Sequence, residues 1–138
     1  MGVAPLPQAT EEKSPQDWAR EAEMILSALE AGSAAHDERR RHPRMGYRAI
    51  ATLRLFSDAP GTAAWKLYTR DVSARGVGFI TEHRLPLGYG GVIQIPAPRS
   101  GRLVSVNGTL FRCRELGNGW YEGAMYFNRE QWIFAPGE

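Results

Sequence analysis

With 138 residues, one cysteine and a formal net charge of +2, the chain has room for one core of about 100 residues and an appendage. Cys113 alone excludes an internal disulfide framework, and no apolar stretch approaches the ~20 residues of a membrane helix. The opening residues lack the basic and apolar segments of a secretory signal, so the expectation is a cytoplasmic protein.

Charge is unevenly spread. Residues 1–38 hold eight acids against two bases, whereas residues 39–138 hold fifteen bases against seven acids, all arginine except Lys66. A planar guanidinium suits bidentate phosphate recognition and stacking on flat rings better than an ammonium does. Codon bias accounts for the bulk of these arginines equally well, but not for the placement of Arg40 and Arg44.

Residues 1–13, rich in Pro, Ala and Glu without a period, read as a disordered tail. Ser14 and Pro15 read as N-cap and first helical residue, and Trp18, Ala22, Ile25, Leu26 and Leu29 then share one face up to a stop at Gly32. The expectation is an amphipathic helix over 14–32, packed on its own barrel, on another protein or on a second copy. Residues 33–46 are small, polar and charged, with Pro43 barring a helical continuation, and read as a linker.

From Tyr47 the pattern changes to strands, predicted at Tyr47–Phe56, Ala64–Asp71, Gly76–Thr81, Gly91–Ile95, Arg102–Arg114 and Trp120–Phe127. Turn chemistry such as Asp58-Ala59-Pro60-Gly61 and Asn118-Gly119 separates them. Six short strands with hairpin-scale connections imply a mainly β protein, a small six-stranded antiparallel barrel over 47–128 with the helix at its N-terminal side. Asn107 and Gly108 break the alternation of the fifth strand, which predicts a bulge or bend there. Residues 129–138 read as a C-terminal tail.

Two motifs carry chemistry. Arg40 and Arg44 form Arg-x-x-x-Arg ahead of the strands, and about 25 residues later Asp71, Ser73 and Gly76 form Asp-x-Ser-x-x-Gly at a strand turn. Guanidinium groups can pair with phosphate oxygens, donate to guanine O6 and N7, or stack on the base. A carboxylate at Asp71 can accept from guanine N1 and N2, and the Ser73 hydroxyl can serve a phosphate or steady the turn. Gly76 permits a tight turn and close backbone approach.

In this order and spacing, with GVGFIT from Gly76 and the late GAMYF, residues 39–128 resemble the PilZ domain, the bacterial receptor module for cyclic di-GMP. The resemblance implies that Arg40, Arg44, Asp71, Ser73 and Gly76 contact or shape the site for cyclic di-GMP. It further implies that Arg39, just ahead of the motif, accompanies uptake of two stacked ligand molecules. The function expected is a non-catalytic receptor, with no cofactor, that passes the signal to an unidentified protein partner.

Other classes fit less well. His36, His42, His83 and Cys113 share no metal-ligand spacing, and neither a Ser-His-Asp order nor a phosphate loop is present. A small basic barrel binding single-stranded nucleic acid through its arginines and Tyr68, Phe79 and Trp120 is the main alternative. A PilZ-like scaffold without ligand is the other.

Overall fold

The computed structural model describes residues 14–32 and 43–135. They belong to two compact units, divided between residues 34 and 35. In the first, helix α1 runs Pro15–Gly32. The Ser14 Oγ accepts the Asp17 N–H at 3.0 Å, satisfying one of the four donors that a helix start leaves open. Trp18, Ala22 and Leu26, four residues apart, are its buried side chains. Ile25 and Leu29 are half-buried on the same side, and Met24 is exposed.

The described residues of the second unit form seven strands: β1 Met45–Gly46, β2 Ile50–Leu55, β3 Trp65–Val72, β4 Gly76–Thr81, β5 Gly90–Pro96, β6 Leu103–Glu115 and β7 Tyr121–Phe127. Their order is β1-β3-β2-β5-β6-β7-β4, and β4 also pairs with β3. That last pairing closes six antiparallel strands into a barrel. β1 is a seventh, two-residue strand on β3, Met45 opposite Val72 and Gly46 opposite Asp71. It occupies the end of the stretch read as a linker.

Strand alternation fills the core. Ala51, Leu53 and Leu55 of β2, Ile93 and Ile95 of β5, and Met125 and Phe127 of β7 all point inward. Each large side chain so buried contributes about 1.5–3 kcal/mol. Phe134, in a single 3-10 turn at Trp132–Phe134, joins the core with its ring 5.6 Å from that of Phe127. The stretch read as a tail thus supplies a core residue.

Two bulges shift the alternation. Leu67 and Val72 of β3 both belong to the core although five positions separate them, an odd spacing that an unbroken strand cannot accommodate. The register shift lies between Thr69 and Asp71. Arg70 is the extra residue, and Asp71 turns to the outer face opposite Gly78. In β6 the shift lies between Leu110 and Arg112. The bulge predicted at Asn107–Gly108 is therefore displaced to Phe111, because Asn107 and Gly108 stay in register with Val92 and Gly91.

Candidate ligand-binding site

β1 lies on the end of β3, so the residue just before it, Arg44, comes beside the outward-turned Asp71. Arg44 Nη1 donates to Asp71 Oδ1 at 2.8 Å, across 27 positions of sequence. Both side chains are about a quarter exposed, 23% and 25%, so the pair is open to solvent on one side. Among the described residues this is the one contact made by the Asp71 carboxylate, which leaves Oδ2 free to accept.

The segment carrying Arg44 is pinned by Tyr47. The Tyr47 N–H donates to the Arg70 carbonyl at 3.0 Å, and its hydroxyl donates to the Pro96 carbonyl at 2.5 Å. Its own carbonyl accepts from Thr69 Oγ1 at 2.5 Å. Burial raises the Tyr47 phenol above its ordinary value near 10.

Between β3 and β4 the chain reverses over Ser73–Gly76. The Ser73 N–H donates to the Gly76 carbonyl at 2.9 Å, and the buried Ser73 Oγ accepts the N–H groups of Arg75 at 3.1 Å and Gly76 at 3.2 Å. Of the two roles open to the hydroxyl, steadying the turn is the one occupied here. Gly76 is not among the glycines with positive φ. A Cβ on it would stand 2.7 Å from the Met125 carbonyl oxygen, so the close approach it permits is to β7.

Four further residues in and beside the site did not stand out in the sequence. Gly78 faces Asp71, whose Oδ1 lies 2.8 Å from where a Cβ on Gly78 would be. Arg70, the bulged residue, donates to Glu122 Oε2 at 2.5 Å, and Arg114 Nη2 donates to Glu122 Oε1. Glu122 is 7% exposed with both oxygens engaged. A parity count from Leu67 to Val72 was the one sequence signal for this bulge.

Arg39 and Arg40 lie outside the described residues. Tyr68, Phe79 and Trp120, the stacking residues of a nucleic-acid reading, are all buried, and a stacking platform needs an open ring face. Among the described residues no cluster of three or more His, Cys, Asp or Glu could hold a metal ion. No described helix is long and apolar enough to cross a membrane.

The pattern that defines the PilZ domain matches residues 38–130. The chain belongs to the PilZ domain family. Both motifs, the closed barrel and the Arg44–Asp71 pair fall within the matched span. No curated protein matches the chain in sequence. Among solved structures, the Bacillus subtilis inhibitor of motility (MotI/DgrA) is similar with a TM-score of 0.54 at 12% identity, over 70% of this chain and 45% of that one. This PilZ chain therefore corresponds to less than half of that protein's length. The PilZ domain of YcgR from Escherichia coli, solved with c-di-GMP, gives 0.50 at 16% identity, over 66% of this chain and 79% of that one. At such identities the likeness is one of fold.

Proposed function

We propose that this PilZ domain is a non-catalytic receptor for cyclic di-GMP that signals to a protein partner. The observation that carries the reading is the Arg44–Asp71 pair at 2.8 Å. It sets a donor fork beside an acceptor with one oxygen free, the complement of the guanine edge bearing O6, N7, N1 and N2. Membership in the PilZ family and the fold shared with the ligand-bound YcgR domain support the same reading. Arg40 joins Arg44 on the phosphates and bases, and Arg39 accompanies a second, stacked ligand. The bound ligand fixes residues 33–46, and the α1 face bearing Trp18, Ile25 and Leu29 is thereby exposed, hidden or re-aimed for the partner.

Calorimetry with cyclic di-GMP, cyclic di-AMP and GTP tests the binding half. The folded wild type is expected to prefer cyclic di-GMP, and Arg44→Ala to lose on the order of a hundredfold, since it gives up charge-assisted bonds worth about 1.5–3 kcal/mol each. Wild-type affinity in the folded variant would sink the assignment. Hydrogen exchange with and without ligand tests the signalling half: protection across residues 33–46 is expected to rise, because ordering a segment costs roughly 1–2 kcal/mol per residue and needs a strongly bound ligand. Unchanged exchange under saturating ligand contradicts that half.

A further inference from the structure

Gly76 and Gly78 both lie in β4, and neither has a positive φ that would demand glycine. A glycine inside a strand lowers its stability and marks a close approach by something else. What approaches differs. A Cβ on Gly76 would stand 2.7 Å from the Met125 carbonyl oxygen and 3.2 Å from the Tyr126 Cα, both backbone atoms held in the β4–β7 ladder. A Cβ on Gly78 would stand 2.8 Å from Asp71 Oδ1, 3.6 Å from Asp71 Cγ and 3.9 Å from Arg44 Nη1. All three belong to side chains.

Real Cβ atoms essentially never come within 3.0 Å of a neighbour, so a methyl at either position forces a displacement. At 76 only backbone can move, and the barrel must deform. At 78 the carboxylate can rotate away while the ladder stays in place, and the displaced atom is the one that holds Arg44.

We infer that Gly78 is a positioning residue: it leaves the space in which the Asp71 carboxylate lies flat on the outer face of β4, and so sets the guanine selectivity of the site. A carboxylate lying over Gly78 keeps Oδ1 on Arg44 and leaves Oδ2 to accept from a base. The selectivity clause rests on the proposed reading of the site; the positioning clause does not.

The test uses the full chain as wild type, Gly78→Ala, Asp71→Ala and the double variant, with Gly76→Ala as a control for the fold. Gly78→Ala is expected to melt within a few degrees of wild type, whereas Gly76→Ala melts much lower. In the absence of ligand, the carboxyl carbon-13 resonance of Asp71 is expected to shift in Gly78→Ala. Toward cyclic di-GMP, Gly78→Ala is expected to lose at least tenfold in affinity and to narrow the advantage over cyclic di-AMP. In the Asp71→Ala background the same methyl is expected to change affinity by less than twofold, since residues acting through one contact are not additive.

A Gly78→Ala protein that fails to fold, an unmoved Asp71 resonance or undiminished selectivity each overturns the inference. A further tenfold loss in the Asp71→Ala background also overturns it, because the methyl would then obstruct the ligand directly. If the wild type binds no cyclic dinucleotide, the proposed function falls with the selectivity clause, and the resonance alone decides the positioning clause.

Discussion

Asp71 and Glu122 are the two carboxylates that arginines engage on the outer side of β3, β4 and β7, and they are built to opposite ends. Glu122 is buried and has both oxygens occupied, one by Arg70 and one by Arg114. Asp71 is a quarter exposed with one oxygen on Arg44. A saturated, desolvated carboxylate has no capacity for a ligand, and removing it strands its cations. A half-engaged carboxylate at the surface adds little to stability and keeps an acceptor available. The chain sets the two systems side by side at Arg70 and Asp71, where the bulge turns one strand's consecutive charges to different partners.

The widest separation between them is expected from deleting each carboxylate. Glu122→Ala takes the Glu122 carboxylate away from Arg70, whose side chain is 21% exposed, and is expected to cost about 2–3 kcal/mol, below the full cost for a deeply buried pair because Arg114 is largely in solvent. Asp71→Ala removes an exposed pair and is expected to cost less than about 1 kcal/mol. Urea denaturation of both variants measures the difference; equal losses would erase the distinction between the two carboxylates.

Ser73 lies between these extremes, and its variant shows to which side it belongs. Its hydroxyl accepts two backbone N–H groups in a buried turn. Ser73→Ala is therefore expected to cost about 1–2 kcal/mol by leaving those donors unpaired. If the hydroxyl serves the turn alone, affinity for cyclic di-GMP in the folded variant changes by only a few fold. A loss as deep as that of Arg44→Ala would move Ser73 into direct contact with the ligand.

The same contrast explains what the sequence disclosed. The glycine-led run GVGFIT marked β4 at the observed bounds, Gly76–Thr81, although every residue in it is buried; alternation marked the other barrel strands nearly so, because inward and outward residues differ in kind where one face meets solvent. Where the alternation breaks, the pattern misplaces the bulge. The β6 bulge was expected at Asn107–Gly108, yet Gly108 is explained by a Cβ that would lie 2.7 Å from the Tyr126 carbonyl oxygen in regular pairing. The β3 bulge shows in the sequence only as the odd spacing of Leu67 and Val72. Phe134 gave no signal because Trp132-Ile133-Phe134 is a single 3-10 turn, too short to show a period, and of its three apolar residues Phe134 alone is buried.

In the site, Arg44 and Asp71 were legible as motif members, and their meeting depends on β1, a two-residue strand too short to show any pattern. Glu122 was hidden within an apolar closing strand. Gly78 was hidden because a glycine explains itself only by what occupies its missing side chain. Asp71 and Gly78 are partners only through the register between β3 and β4, which the bulge at Arg70 sets.

The smallest effect expected is at the residue that joins the two systems. Tyr47 follows Arg44 closely, donates its N–H to the Arg70 carbonyl and its hydroxyl to the Pro96 carbonyl. Burial raises its phenol above the value near 10 that it has in the unfolded chain. Its contribution to stability is thus complete below pH 10. As pH rises from there through the folded value, the unfolded chain has released the proton that the folded one retains, and the balance tips toward unfolding. Tyr47→Phe removes this titration together with one hydrogen bond, whose net worth is about 1 kcal/mol. The expected result is a slightly less stable protein at pH 7 whose stability declines less steeply than wild type above pH 10, measured by urea denaturation across that range. Parallel declines would mean that the Tyr47 hydroxyl is not held in the barrel wall, and the anchor between Arg44 and Arg70 would then rest on its backbone alone.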